Sequence, residues 1–337
     1  MYSQANNQPG QTYVRPLKCL FFYSAPPRLP AIPSALVRRL DLQSCTFANG
    51  TPMKFLLPAA LAALLTVTGA MAGDFPDDLK QGGFAIGCQA WSFHNFSVFE
   101  AIDKTAETGA KTIEFFPGQK LSQEEPTVKF SHDAPKEVWD KVKAKLAEKH
   151  ITPVAYGVVG IPKDAAGARK VFEFAKYFGL KVINTESVDA IDTFEPLVKE
   201  FNIKVGFHDH PKRPDHPDYK MWDPNYILSV VKDRDPRIGS CADTGHWVRS
   251  GLKPVECIQI LKGHIVASHL KDLNAPLPSA HDVPYGSGVS DVKGILDEYK
   301  QQGFDGPISV EYEYDWNDNV GEIKQCIDFV RAYGGKK

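Results

Sequence analysis

Four apolar runs between Lys204 and Tyr314 each end in side chains able to ligate a metal: Gly206-Phe-His-Asp-His210, Cys241-Ala-Asp-Thr-Gly-His246, Ala267-Ser-His-Leu-Lys-Asp272 and Ser309-Val-Glu-Tyr-Glu313. One such cluster would mean little. Four in succession put His, Asp and Glu where a (β/α)8 barrel keeps its chemistry, at the C-terminal mouth of its strands. The spacing therefore predicts a divalent metal centre.

The elements that would position these residues repeat along the chain. Apolar, β-branched runs alternate with helical patterns, the signature of βα units and a parallel sheet. The strands fall at Phe84 to Ala90, Thr112 to Phe116, Thr152 to Val158, Val182 to Thr185, Val205 to Phe207, Ile238 to Ala242, Ile265 to Ser268 and Ile308 to Val310. Eight strands in about 250 residues match a closed TIM barrel. Helical core faces recur every three or four residues: Val171, Phe172, Ala175 and Phe178; Val292, Ile295, Leu296 and Tyr299; Val320, Ile323, Ile327 and Val330. Two long loops, Pro211 to Asp223 and Asn274 to Gly288, follow ligand-bearing strands and are expected to act as lids.

Asp243, His269 and Glu311 close strands six, seven and eight and are the expected core of the metal set. The fourth ligand is either Glu186, which closes strand four, or His208, which closes strand five; the one left over would serve as general base or touch substrate. His210 shares the face of His208 and is expected to orient a ligand or meet substrate. His246 would sit beside the metal or cap helix six. Lys271 points toward the mouth, where a cation stabilises an enolate or alkoxide, or else is solvated. Glu114 ends strand two. Trp91, at the end of strand one, offers a ring on which the C–H face of a sugar could pack, or serves barrel packing. Oxygen and imidazole donors without thiolate suit Mn, Co, Zn or Mg, with Mn or Zn favoured because His takes part.

Composition narrows the setting. Met53-Lys54-Phe55, the apolar run to Val67 and Gly69-Ala-Met-Ala72 form the pattern of a secretory signal peptide over 53–72, predicting a periplasmic or secreted protein. Residues 1–52 lack periodicity and are expected to be an over-extended gene start or a disordered arm; the barrel domain is 73–337. Removing residues 1–72 takes away six basic residues and one acid, leaving 33 basic against 40 acidic. A net charge of about −7 argues against nucleic acid, which is bound largely through Lys and Arg. No segment approaches the roughly 20 apolar residues of a membrane span. Cys88, Cys241, Cys257 and Cys326 are expected to be buried free thiols, since so large a chain buries its core without disulfides.

Taken together, Glu114 in Ile-Glu-Phe, Glu186 in Asn-Thr-Glu-Ser, His208-Asp-His210, Asp243-Thr-Gly-His246, His269-Leu-Lys-Asp272, Gly286-Ser-Gly288 and Glu311-Tyr-Glu313 resemble the sugar phosphate isomerase/epimerase family with the xylose isomerase-like barrel. The likeness spans nearly all of 73–337. It implies a metal-bound carbohydrate substrate, proton abstraction next to a carbonyl through an enediolate, and isomerisation or epimerisation. In better-known epimerases of this family, strands five and eight each supply a carboxylate that binds metal and moves a proton. Glu311 matches the second, but the first position holds His208, so Glu186 or His208 must be its acid/base partner. That departure leaves open a metal-dependent lyase or hydrolase of keto-glycosides, and a secreted sugar-binding protein without turnover is the non-enzymatic alternative. The related apurinic endonucleases need extra histidines on early strands, which Thr112-Ile-Glu-Phe-Phe and Pro153-Val-Ala-Tyr-Gly lack. Neither the sugar nor the oligomeric state is set by these residues, and an oligomer is compatible with them.

Overall fold

Parallel pairing runs without a break around the whole sheet, so that no strand edge is left open. The computed structural model describes residues 74–335. The expected signal peptide and the segment before it lie outside the described residues. The strands are β1 (Ala85–Gln89), β2 (Thr112–Phe115), β3 (Gln119–Lys120), β4 (Lys129–Phe130), β5 (Thr152–Tyr156), β6 (Val182–Thr185), β7 (Lys204–His208), β8 (Ile238–Asp243), β9 (Ile265–Leu270) and β10 (Pro307–Val310). Eight of them close in the order β1-β10-β9-β8-β7-β6-β5-β2, while β3 and β4 form a separate antiparallel pair. This is a (β/α)8 barrel, as the periodicity predicts. The β3–β4 hairpin escaped that reading because two-residue strands carry no periodicity.

The helices are α1 (Val98–Glu107), α2 (Lys136–Lys149), α3 (Ala165–Phe178), α4 (Ile191–Phe201), α5 (Pro224–Val231), α6 (Thr244–Arg249), α7 (Pro254–Ile260), α8 (Val292–Gln302) and α9 (Val320–Tyr333). The expected faces of α3 and α8 are wholly buried, as are Ile323, Ile327 and Val330 of α9, whose Val320 is only partly covered. Local chemistry fixes the ends. Ser97 and Glu100 form a reciprocal capping box at the start of α1. Gly179 and Gly303 end α3 and α8 with φ of 70° and 69°, a left-handed turn that glycine adopts without strain.

Three strands run one or two residues further than their apolar patterns suggest. Pairing continues to His208 in β7, Asp243 in β8 and Leu270 in β9, with His208 opposite Cys241 and Asp243 opposite His269. His208, Asp243 and His269 are therefore held by the barrel's hydrogen-bond ladder and not by loops, which restricts where their side chains can go. The four cysteines among the described residues are all buried and free. Among those residues no helix is long and apolar enough to cross a membrane.

Candidate metal centre

His208, Asp243, His269 and Glu311 are all buried, and one donor atom from each lies within 4.8 Å of the others. Asp243 Oδ2 is 3.5 Å from His208 Nε2 and 4.0 Å from His269 Nδ1, while His269 Nδ1 is 3.2 Å from Glu311 Oε2. Three strands and the residue after a fourth thus aim two imidazoles and two carboxylates at one point. Both nitrogens of the buried His208 ring lack a hydrogen-bond partner, an arrangement that leaves a polar side chain uncompensated. A cation among these donors would satisfy Nε2, the ring nitrogen that faces Asp243, so the set fits a divalent metal.

Beneath the donors a polar floor holds His269 in place. Its Nε2 lies 3.0 Å from both oxygens of Glu114, which also accepts hydrogen bonds from Asn184 Nδ2 at 2.8 Å and Ser309 Oγ at 2.7 Å. Such a carboxylate fixes the histidine tautomer and leaves Nδ1 as the donor nitrogen. Glu114 was expected among substrate contacts; it does not line the cavity and instead orients a ligand from below. Gly206 makes room for this floor, because a Cβ there would stand 2.6 Å from Asn184 Oδ1. Asp209 accepts the Asp243 backbone N–H at 2.8 Å and so steadies the strand end.

Charge is balanced within the cluster. The Lys271 ammonium lies 2.6 Å from Asp243 Oδ2, 2.6 Å from Glu311 Oε2 and 3.2 Å from Glu313 Oε2. Burial opposes its charge, yet these carboxylates carry its pKa well above 10.5. Burial likewise works against the Glu311 anion, but Lys271 and His269 draw its pKa down to about 2. Lys271 was expected at the mouth, either near an oxyanion or in solvent. It is not solvated: at 1% exposure it pairs with the carboxylates of the candidate metal set, standing at the two oxygens a metal would use.

Both histidines of the candidate set favour their cations. Burial resists this, but Asp243 and Glu186 raise His208 to about 9, and Cys241, Glu114 and Glu311 raise His269 well above 6.5. Each must lose its extra proton to ligate. Manganese binding at pH 7 should therefore release about two protons per ion, measurable by calorimetry in buffers of different ionisation enthalpy. Release of none would show that the two imidazoles are already neutral before the metal binds.

Glu186 stands outside the four-donor set. Its Oε1 is held by His210 Nδ1 and by the Tyr219 hydroxyl at 3.1 Å, and lies 3.8 Å from His208 Nδ1. Of the two contenders for fourth ligand, His208 has the donor atoms and burial, although Glu186, His208 and His210 also approach one another closely enough to share an ion. Tyr219, on the loop after β7, also accepts the His210 backbone N–H at 3.1 Å. His246 is buried beside the centre, its Nε2 3.6 Å from Asp243 Oδ2. Arg249 can only donate, so its 3.1 Å contact makes His246 Nδ1 an acceptor and leaves the ring neutral. Desolvation keeps the His246 pKa well below 6.5, in agreement. The cap of α6 is Asp243, whose Oδ1 accepts the His246 backbone N–H at 2.8 Å.

A cavity of about 320 Å³ opens above these residues, lined by His208, His210, His246, Glu311 and Glu313 on one side and by Trp91 and Phe116 on the other. Its size sits at the small end of the roughly 300–1,000 Å³ range of small-molecule sites. Trp91 is 39% exposed, meets Phe116 edge-on at 5.0 Å and stacks on His94 at 4.8 Å. His94 in turn meets Trp316 at 4.2 Å. Sequence reasoning missed His94, Trp316, Tyr219 and Gln89, which bonds Gly157 O and the Trp91 N–H. The positions of Trp316, shortly after the Glu311-Tyr-Glu313 cluster, and of Tyr219, inside the expected lid Pro211 to Asp223, offered a signal.

Barrel and donor set define a (β/α)8 protein with a candidate metal site and a polar-and-aromatic cavity at the mouth. A family model for the xylose isomerase-like TIM barrel matches residues 102–333, and the chain belongs to that family. A solved structure of an uncharacterised Parabacteroides distasonis protein is 30% identical, covering 74% of this chain and 98% of its own, with a TM-score of 0.59. D-allulose 3-epimerase from Methylomonas sp. in complex with D-allulose is 15% identical over 76% of this chain and 98% of its own, TM-score 0.56. A xylose isomerase-like TIM barrel protein from Mycobacterium smegmatis in complex with magnesium is 15% identical over 74% and 97%, TM-score 0.58. Structural neighbours also include proteins described as sugar phosphate isomerase/epimerases. No curated protein matches.

Proposed function

We propose that the protein is a divalent-metal-dependent sugar isomerase or epimerase that moves a proton next to a carbonyl. The observation that carries this reading is the convergence of His208, Asp243, His269 and Glu311 beside a cavity that also receives the His210 ring. Neighbouring epimerases, one holding D-allulose, support the substrate class. Manganese or zinc is favoured, and a divalent cation held there supplies positive charge to the substrate oxygens as they become anionic.

The chain's own residues divide the remaining work. Glu186 orients His210 through Nδ1, and Tyr219 steadies both by donating to Glu186 and accepting the His210 backbone N–H, leaving Nε2 free to take a proton from a substrate carbon and return it. Glu186 does not line the cavity, and its carboxylate, tied to His210 and Tyr219, stands behind His210 and does not itself shuttle the proton. This replaces Glu186 or His208 with His210 as the partner of Glu311. Glu311 lines the same cavity and serves as the second acid/base. Trp91 supplies an apolar ring for one sugar face, His246 Nε2–H is a donor to a substrate oxygen, and the neighbouring loops exclude water.

In protein loaded with manganese, His210→Asn and Glu311→Gln should each lower solvent deuterium uptake into a ketohexose by at least about 100-fold. Uptake at the wild-type rate in either variant would remove that residue from proton transfer. His208 in place of the expected carboxylate also supports a second reading, in which His210 protonates a leaving oxygen and the same site eliminates. Product mass separates the two, since only isomerisation conserves it.

A further inference from the structure

We infer that the site is built for an uncharged sugar and rejects phosphorylated ones, and that Glu313 is a residue that sets this preference. The inference rests on the sugar reading above and concerns which sugars enter.

Barrels of this type often bind phosphate with the loops after the seventh and eighth strands and a helix N-terminus. Here the seventh-strand loop is filled from within. The N–H groups of Gly286 and Gly288 donate to Asp272 Oδ2 at 2.8 and 3.0 Å, and that of Ser290 donates to Asp272 Oδ1 at 3.0 Å. A row of backbone donors that could cradle an anion thus already holds a carboxylate belonging to the chain. Glycine is needed there: Gly286 has φ of 85°, and a Cβ on Gly288 would fall 2.3 Å from Asp272 Oδ1. This accounts for the Gly286-Ser-Gly288 motif.

Nearby helix starts are similarly committed. Asp243 caps α6, and Asp291 caps α8 by accepting the Gly294 N–H at 3.1 Å. The start of α9 has no side-chain cap, but Asp315 and Asp318 precede it in the segment after β10 and add negative charge to that stretch of chain. Among the described residues no lysine or arginine lines the cavity. The two permanent cations beside it are both consumed: Lys271 by three carboxylates, Arg249 by Glu313 at 2.6 Å and Asp282 at 3.2 Å. Glu313 contacts both cations and faces the cavity. Its carboxylate cancels their field and repels an entering anion, a repulsive element of the kind that creates specificity.

The test is equilibrium binding of ketohexoses and of their 1- and 6-phosphates to manganese-loaded protein, with inorganic phosphate as competitor. Each neutral sugar should bind at least about tenfold more tightly than its phosphates, and millimolar inorganic phosphate should not displace it. Glu313→Gln should narrow the gap several-fold by releasing Arg249. A phosphate ester that binds wild type as well as its parent sugar, competition by inorganic phosphate, or binding of neither set would overturn the inference. Failure of the isomerase reading looks different: neutral sugars bind selectively but exchange no deuterium.

Discussion

Asp243→Asn should lower manganese affinity at least about 100-fold and kcat/KM for a sugar substrate at least about 1,000-fold, a transition-state loss of roughly 4 kcal/mol. The two oxygens of Asp243 have separable duties. Oδ1 accepts the His246 N–H at 2.8 Å, and an asparagine carbonyl oxygen can keep that bond. Oδ2 faces the Lys271 ammonium at 2.6 Å, His208 Nε2 at 3.5 Å and His246 Nε2 at 3.6 Å. An amide NH2 in its place turns a donor toward an ammonium and two imidazoles and removes the negative charge that would hold a metal. The expectation is thus lost metal with the helix start retained. Metal content after dialysis, measured by mass spectrometry, together with far-ultraviolet circular dichroism, checks both halves. Full metal content in the variant would mean that Asp243 is not a ligand.

Lys271→Met should destabilise the metal-free protein by roughly 3–5 kcal/mol, the usual cost of removing one partner from a buried ion pair. Two buried carboxylates lose 2.6 Å contacts to the ammonium, and the methionine stem fills most of the same space. Saturating manganese should return much of that stability, because the ion supplies the positive charge that Lys271 gave; binding to the folded state stabilises it by mass action. The metal-induced gain should therefore be larger in the variant than in wild type. Urea denaturation with and without manganese measures this difference. An equal loss of stability under both conditions would show that Lys271 and a metal do not serve the same carboxylates.

The barrel and the donor types were legible because both are local. Strand runs, helical stripes and His, Asp or Glu at strand ends need only short windows of sequence, and His208, Asp243, His269 and Glu311 emerged from them together. The division of labour was not legible, because it depends on contacts between distant segments. Glu114 looked like a cavity residue from its strand-end position, but the geometry of β2 sends it under His269, 155 residues away in sequence. Lys271 shares the parity of His269, which said which face it occupies but not that three carboxylates surround it there. Glu186 and His208 were equivalent in sequence; the Tyr219 loop separates them by fixing Glu186 to His210. The Asp272 clasp on Gly286, Gly288 and Ser290 was visible only as a glycine pattern without a purpose.

The most direct measurement of the metal centre is an anomalous scattering map from crystals grown with manganese or zinc. Coordination at His208 Nε2, Asp243, His269 Nδ1 and Glu311, with bonds of roughly 2.0–2.3 Å, is the predicted result. A map with no ion among these four side chains, or with the ion bound elsewhere in the barrel, would contradict the account.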